Sequence, residues 1–368
     1  MTDMKKEKPL IILTAGGTGG HVYPAEALAE ELSVRGYRLM LITDQRGKDN
    51  YKGKLGQIPN VAVLSGGIVG KSKLFKIKSI LRLCVGILQA LWVVWKYKPI
   101  CVVGFGGYAS FPACVAAILS GTDLVIHEQN SVMSRTNRFL SRYAELCAQS
   151  FNNVKYAPSS DKNIVVGMPI RTSIANLKNN LYPSFSKNIQ ILVLGGSQGA
   201  KVFGEVVPQA VEMLPEKLLS KMKIYQQCRK GDEDNILNQY KKCADKVIVS
   251  SFFENMADLY ATTHIIISRS GASSVAELTA AGVPSVLIPL PTAADDHQTS
   301  NAAEIQAAKA GLVIAQKDFD ANMLKNVLEE LLTDENKLKQ MSKSAHSVGI
   351  TDAAKRLADA IEKRIIRS

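Results

Sequence analysis

Two stretches of this chain limit its fold more than any other. Leu10-Ile11-Ile12-Leu13 runs into Gly16-Gly17-Thr18-Gly19-Gly20-His21 and out into Ala25 to Leu32, which has helical spacing. Ile189 to Leu194 likewise runs into Gly195-Gly196-Ser197-Gln198-Gly199-Ala200 and then a helix from Lys201. A strand–glycine loop–helix aims backbone N–H groups and a positive helix end at whatever lies above, and anions bind there readily. Taken singly, each loop also reads as a tight βα turn. Apolar runs at Arg38 to Thr43, Val61 to Leu64, Ile100 to Val103, Leu124 to His127 and Ile164 to Val166 alternate with helical segments after the first loop. Others near Ile224, Val247, Ile265, Val286 and Val313 do so after the second. Such alternation implies parallel sheets with right-handed crossovers. The expectation is an α/β chain of two Rossmann-like domains in tandem, as suits 368 residues. The junction falls near Met168 to Arg171. A last helix, Asp352 to Ile366, has N-cap candidates in Thr351 and Asp352 and is expected to cross back onto the first lobe.

The six cysteines are scattered, without C-x-x-C or Cys/His ligand spacing, so a reduced cytosolic setting is expected and no structural zinc or disulfide framework. The charged start, Met1 to Lys8, and the short apolar run after it do not fit a secretion signal. A net charge of +12 is concentrated: no acid lies between Asp49 and Asp123, whereas Lys71, Lys73, Lys76, Lys78 and Arg82 crowd one stretch. No nucleic-acid recognition motif or aromatic platform accompanies them, so no nucleic-acid partner is expected. The same stretch opens a helix over Leu74 to Trp95, with Leu74, Ile77, Leu81, Cys84, Leu88, Leu91 and Trp95 three or four residues apart. Arg82 and Gln89 interrupt the apolar run, which is short for a bilayer span, so a transmembrane helix is not expected.

In the second half, Ser268-Arg269-Ser270-Gly271-Ala272-Ser273-Ser274-Val275-Ala276-Glu277 reads as strand end, glycine turn and helix start. Its hydroxyls and N–H groups suit a phosphate, and Glu277, a turn and a half into the helix, suits the two hydroxyls of a ribose. The plainer reading is a helix whose first turns carry Ser and Glu for capping and dipole reasons. Downstream, Asp295-Asp296-His297-Gln298-Thr299-Ser300-Asn301 starts another helix; it lacks the second ligand cluster a metal requires, and its donors suit sugar hydroxyls. Phe252 and Phe253 offer an apolar wall for a base ring.

The ordered set Gly16 to Pro24, Gly106-Gly107-Tyr108, His127-Glu128-Gln129-Asn130, Gly167 to Arg171, Gly195 to Ala200, Arg269 to Ala272 and His297-Gln298 resembles the MurG family of GT-B glycosyltransferases almost end to end. The resemblance implies transfer of N-acetylglucosamine from UDP-GlcNAc to lipid I (undecaprenyl-pyrophosphoryl-MurNAc-pentapeptide), giving lipid II for peptidoglycan synthesis. It implies a UDP-GlcNAc domain over 171–351 and an acceptor- and membrane-facing domain over 1–170 joined by 352–368. Carried over by motif, Phe253 meets the uracil with Arg171 near it. Ser197 and the turn Ala272, Ser273, Ser274 and Val275 hold the diphosphate, Glu277 the ribose, and Gln298 the GlcNAc hydroxyls, with Ala276 also in the substrate-binding stretch. Asn130 with Thr18, Gly19 and Gly20 completes the sugar site. Met168 departs from the Asn often found beside the Pro, and the alignment over Ala293 to Asp296 is loose.

No D-x-D-like site and no cofactor are expected, so helix ends and backbone N–H groups would stabilise departing UDP. His21 is the expected general base, worth roughly 10²–10⁴-fold, with an acceptor-binding or loop-orienting role as the alternative; His127 stands second. The resemblance makes sense of the basic helix: Leu74, Phe75 and Ile77 with Lys73, Lys76, Lys78 and Arg82, joined by Arg135, Arg138 and Arg142, form a patch for an anionic membrane surface. A peripheral position on the cytoplasmic face of the inner membrane follows. A dehydrogenase competes poorly, because Val22 replaces the third glycine, although Asp44 lies near the end of the second strand where a ribose-binding acid would sit. A P-loop lacks G-K-[ST]. A UDP-GlcNAc 2-epimerase of the same fold is the nearer rival: it explains the donor pocket but not the basic helix.

Overall fold

The structure is a computed structural model and describes residues 9–16, 19–45, 47, 51, 53–66, 73–185, 188–196 and 199–366, with backbone alone at 73–77 and 244. It divides into two units, Met1–Arg171 with Asp352–Ser368, and Thr172–Thr351.

The first unit holds β1 (Leu10–Thr14), β2 (Arg38–Thr43), β3 (Asn60–Ala62), β4 (Cys101–Gly104), β5 (Asp123–Glu128), β6 (Leu146–Gln149) and β7 (Asn163–Val165). They form one sheet in the order β3-β2-β1-β4-β5-β6-β7, every neighbouring pair parallel. The central strands are unbroken apolar runs because helices cover both faces. Alternate residues of β1 serve the two faces. Ile11 and Leu13 join Leu28, Leu32, Leu357 and Ile361 on one side, and Ile12 joins Ile42, Val93, Val94 and Ala113 on the other.

The second unit holds β8 (Ile189–Leu194), β9 (Met222–Gln227), β10 (Val247–Ser250), β11 (Ile265–Ser268), β12 (Ser285–Leu287) and β13 (Gly311–Val313), ordered β10-β9-β8-β11-β12-β13 and again parallel throughout. Ile191, Val193, Phe203, Val207, Ile265, Leu324 and Leu328 are fully buried at its core.

The terminal helix Ala353–Ile361 packs in the first unit, followed by a π turn over Glu362–Ile366. Leu357 and Ile361 are fully buried there, each worth about 1.5–3 kcal/mol. Arg35 fastens the same helix, with carboxylates of Glu31 (2.7 Å), Asp359 (2.7 Å) and Glu362 (2.9 Å) around its guanidinium. Asp352 pairs with Arg356 at 2.8 Å and its side chain does not cap the helix.

Some boundaries differ from those read in the sequence. β3 ends at Ala62 and β7 at Val165. β6 has no clear signal in the sequence: four residues ending in Gln149 carry neither alternation nor a long apolar run, and only the neighbours β5 and β7 make them a strand.

Helix Lys73–Tyr97 is the long surface helix. By length and composition Lys78–Tyr97 is long and apolar enough to cross a membrane, with mean hydropathy 1.5. Its inner stripe, however, is core: Ala90, Val93 and Val94 pack among Ile12, Ile42 and Val102. The outward positions are Leu81, Val85, Leu88, Trp92 and Trp95, all exposed and spaced four, three, four and three residues apart. Much of the apolar repeat seen in the sequence therefore faces solvent.

Candidate active site

In an open parallel sheet, ligands bind beyond the strand carboxyl ends where the strand order reverses. In the first unit that point lies between β1 and β4. The loop after β1 leads into helix Gly19–Val34, placing Gly19, Gly20 and His21 in its first turn. Gly16 N donates to Gly106 O at 3.2 Å, drawing this loop against the one after β4. Gly106 and Gly107 have φ of +82° and +80°, and a Cβ on Gly107 would lie 3.1 Å from Gly16 Cα. The His21 ring is within 3.5 Å of such Cβ positions on Gly16, Gly106 and Gly107, so it lies over both glycine turns. Burial lowers its pKa to about 4, which keeps the imidazole neutral at physiological pH.

His127, the second candidate base, is fully buried, with Nε2 3.0 Å from Gly167 O. Burial holds its pKa at about 4; Nε2 meets the backbone near the end of the unit, while Nδ1 is buried without a hydrogen-bond partner. Beside it stands a residue to which the sequence reading gave no role. Glu128, 1% exposed, accepts from Asn130 N (3.0 Å), Ser134 N (3.0 Å) and Asn137 Nδ2 (2.8 Å). Burial raises its pKa while those donors oppose the shift. Glu128 thus shapes the loop carrying Asn130, whose Nδ2 also approaches Glu128 Oε1 at 3.5 Å. Gln129 fixes the same loop through Phe105 O at 2.6 Å. Arg171 has its guanidinium 4.6 Å from the centre of the Tyr23 ring.

In the second unit the order reverses between β8 and β11. Helix Ala272–Ala280 starts beyond β11 with Gly271 as N-cap, so no side chain caps its first N–H groups, those of Ala272, Ser273 and Ser274. Ser273 Oγ is buried and has no hydrogen-bond partner. Ala272 and Val275 are buried, and Ala276 is half-buried. Glu277 is 7% exposed, with the Tyr260 hydroxyl 3.3 Å from Oε2. Phe253 packs edge-on against Tyr225 at 5.9 Å between ring centres, while Phe252 is exposed.

Gln298, in the first turn of helix His297–Ala307, accepts from Leu290 N at 3.0 Å, and its carbonyl accepts from Ser270 Oγ at 2.8 Å. The helix begins at His297 rather than at Asp295, because Asp295 and Asp296 both have φ of +52°. Two successive left-handed non-glycine residues cost roughly 1–2 kcal/mol each.

Thr18 and Ser197 lie outside the described residues, as do the side chains of Lys73, Leu74, Phe75, Lys76 and Ile77. Lys78 and Arg82 are exposed on helix Lys73–Tyr97. Arg138 is less available than expected: its Nε donates to Met133 O at 2.8 Å and its guanidinium lies 3.9 Å over Tyr156. Asp44 is occupied locally, accepting from Gly47 N (2.9 Å) and Ser65 Oγ (3.3 Å), which counts against a ribose-binding role. Among the described residues no group of three or more His, Cys, Asp or Glu is placed to hold a metal ion.

Comparison with known proteins matches both units. Residues 11–149 match the glycosyltransferase family 28 N-terminal domain and residues 190–357 the glycosyltransferase family 28 C-terminal domain. The chain is 42% identical over 362 residues to the UDP-N-acetylglucosamine–N-acetylmuramyl-(pentapeptide) pyrophosphoryl-undecaprenol N-acetylglucosamine transferase of Paramagnetospirillum magneticum, covering 97% of each chain. It superposes on the crystal structure of Acinetobacter baumannii MurG with a TM-score of 0.77 at 30% identity, covering 97% of this chain and 99% of that one. A UDP-GlcNAc 2-epimerase from Neisseria meningitidis bound to UDP-GlcNAc shares the fold alone, with a TM-score of 0.68 at 16% identity over 96% of this chain and 100% of the other. The rival reading therefore has the architecture in common but not the sequence. With both domains matched in order and relatives aligned nearly end to end, the chain belongs to the MurG family of glycosyltransferase family 28.

Proposed function

We propose that this enzyme transfers N-acetylglucosamine from UDP-GlcNAc to the C4 hydroxyl of the MurNAc of lipid I, forming lipid II with inversion to a β linkage. The observation that carries the reading is the match over 97% of the chain to an enzyme named for that reaction. The acceptor oxygen attacks C1 of GlcNAc from the face opposite UDP. The C1–O bond to the diphosphate breaks, and the hydroxyl proton passes to His21. UDP leaves with added negative charge at the N-terminus of helix Ala272–Ala280, beside the partnerless Ser273 hydroxyl. A helix end contributes about 0.3–1 kcal/mol exposed and up to ~2 when partly buried. Glu277 takes the ribose hydroxyls, Phe253 and Arg171 the uracil, Ser197 the diphosphate, and Gln298, Asn130 and the Thr18-Gly19-Gly20 turn the sugar.

His21 is neutral and so in the protonation state a base needs. An entering diphosphate near the ring would raise its basicity, since an anion favours the imidazolium. Radiolabelled UDP-GlcNAc supplied with a lipid I analogue tests the reading. Label in the lipid product is the expected result; ManNAc and UDP released without acceptor would instead mark an epimerase.

We further propose that the outward stripe Leu81, Val85, Leu88, Trp92 and Trp95, with Lys78 and Arg82, seats the protein peripherally on the anionic cytoplasmic face of the inner membrane. In support, these apolar side chains are exposed on a helix whose opposite face is core. Each basic residue near such a surface adds about 1 kcal/mol, reduced by salt. Co-sedimentation with phosphatidylglycerol vesicles, falling with salt and lost in a Trp92→Ser/Trp95→Ser variant, is expected. No binding, or binding unchanged in that variant, would count against it.

A further inference from the structure

Arg269 closes β11 and is 8% exposed, yet among the described residues no acid partners it. Its Nη1 donates to Ile288 O at 2.9 Å and Pro289 O at 3.3 Å, and its Nη2 to Gln316 Oε1 at 2.6 Å. The guanidinium carbon lies 5.1 Å from the centre of the Phe203 ring. All of these partners are neutral, and burial pushes the pKa down with no carboxylate to oppose it. A buried cation held only by carbonyl dipoles is costly, and folds that keep one normally supply a countercharge. Strand ends alone could be tied together by a neutral amide at less cost.

The position says where the countercharge comes from. Arg269 N donates to Leu194 O at 3.3 Å, so the residue stands at the strand reversal between β8 and β11. The glycine loop follows Leu194 directly, and Ser270 and Gly271 lead straight into the uncapped helix Ala272–Ala280 with its partnerless Ser273 hydroxyl. We propose that Arg269 is a fixed buried countercharge for the diphosphate of the nucleotide donor. It acts through its field, with Nη1 engaged by two backbone carbonyl oxygens and Nη2 by the Gln316 amide oxygen. The inference rests on the donor reading above. A charge held in low dielectric by neutral dipoles need not reorganise as the leaving group gains charge, which is the condition for strong electrostatic stabilisation.

Two substitutions test it, with UDP and uridine as probes on the full chain. Gln316→Glu places a carboxylate against the guanidinium and supplies the missing countercharge without removing Arg269. UDP affinity should fall at least about tenfold while uridine affinity stays within about twofold, as expected for a long-range charge effect. The melting temperature should hold or rise. Arg269→Gln, which removes the charge, should lose UDP preference in the same way. If Gln316→Glu binds UDP like the wild type, or if either folded variant loses UDP and uridine equally, Arg269 is a strand clamp and the inference is wrong. If the wild-type chain itself fails to bind UDP, the donor reading fails first and takes the inference with it. Should Arg269→Gln not fold, Gln316→Glu alone decides.

Discussion

At the strand reversal of the N-terminal unit a histidine ring lies against the glycine turns, while at that of the C-terminal unit helix Ala272–Ala280 starts without a side-chain cap. In the first, Gly16 and Gly107 approach so closely that an added Cβ would lie 3.1 Å from backbone, and the His21 ring covers both turns. In the second, Gly195 and Gly199 are also closely packed, a Cβ on Gly195 running into Ala200 N and one on Gly199 lying 2.9 Å from Arg229 N, whereas one on Gly271 meets only Ser274 Oγ at 4.0 Å. The same strand–loop–helix design thus serves two ends. One turn holds the His21 ring against backbone, and at Gly271 the other leaves space beside uncapped N–H groups. Glycine serves close packing in both loops and leaves open space at Gly271.

Four experiments would break or sharpen that contrast. The largest effect is expected from His21→Ala, which should lower kcat by roughly 10²-fold or more with little change in the KM for UDP-GlcNAc; a loss below about tenfold would leave His21 only a loop-orienting role. Next comes pH. His21 and His127 have native pKa values near 4, below the unfolded value, so the unfolded chain takes up protons first as pH falls. Stability is therefore complete above about pH 6.5 and is lost on descent toward 4, by up to about 3 kcal/mol for each group. Both tryptophans, Trp92 and Trp95, lie in the N-terminal unit, so urea unfolding followed by their fluorescence reads this loss directly. A His127→Gln variant should flatten the profile.

Third, Gly107→Ala forces a left-handed alanine against Gly16 and should cost about 2 kcal/mol or more, measurable as a lower melting temperature. The smallest effect belongs to Gly271→Ala, whose φ of −62° suits alanine. Its stability should stay within about 0.5 kcal/mol of wild type, while the KM for UDP-GlcNAc rises roughly three- to tenfold as a methyl group enters the anion site. Equal effects of the two glycine substitutions on stability would abolish the distinction.

The sequence made the sheet architecture plain because continuous apolar runs ending in glycine loops have few other uses. It was a poorer guide wherever a residue's role depends on partners distant in the chain. Nothing local marks Glu128 as the acceptor of three N–H donors, since Ser134 and Asn137 become relevant only once the loop folds. The four residues of β6 are a strand only through their neighbours. On helix Lys73–Tyr97 the apolar spacing revealed the helix, but not which face was core, because apolar residues occur nearly all round. The sequence ranks His127 behind His21 as a base but gives no sign of its bond to Gly167, forty residues away.

The position of helix Ala353–Ile361 has a consequence for how this protein is made. Its Leu357, Ala358 and Ile361 complete the core around β1, so that unit cannot be finished until residues 353–361, made after all of 172–351, leave the ribosome. Residues 172–351, by contrast, contain their whole unit in one segment. At about 5–20 residues per second, the nascent N-terminal unit waits roughly ten seconds or more with an uncovered apolar face while its neighbour is synthesised. The Arg35 cluster of three carboxylates then acts as the latch on the last segment to arrive. Loss of the last sixteen residues would therefore be felt at the opposite end of the chain, in the unit that carries His21.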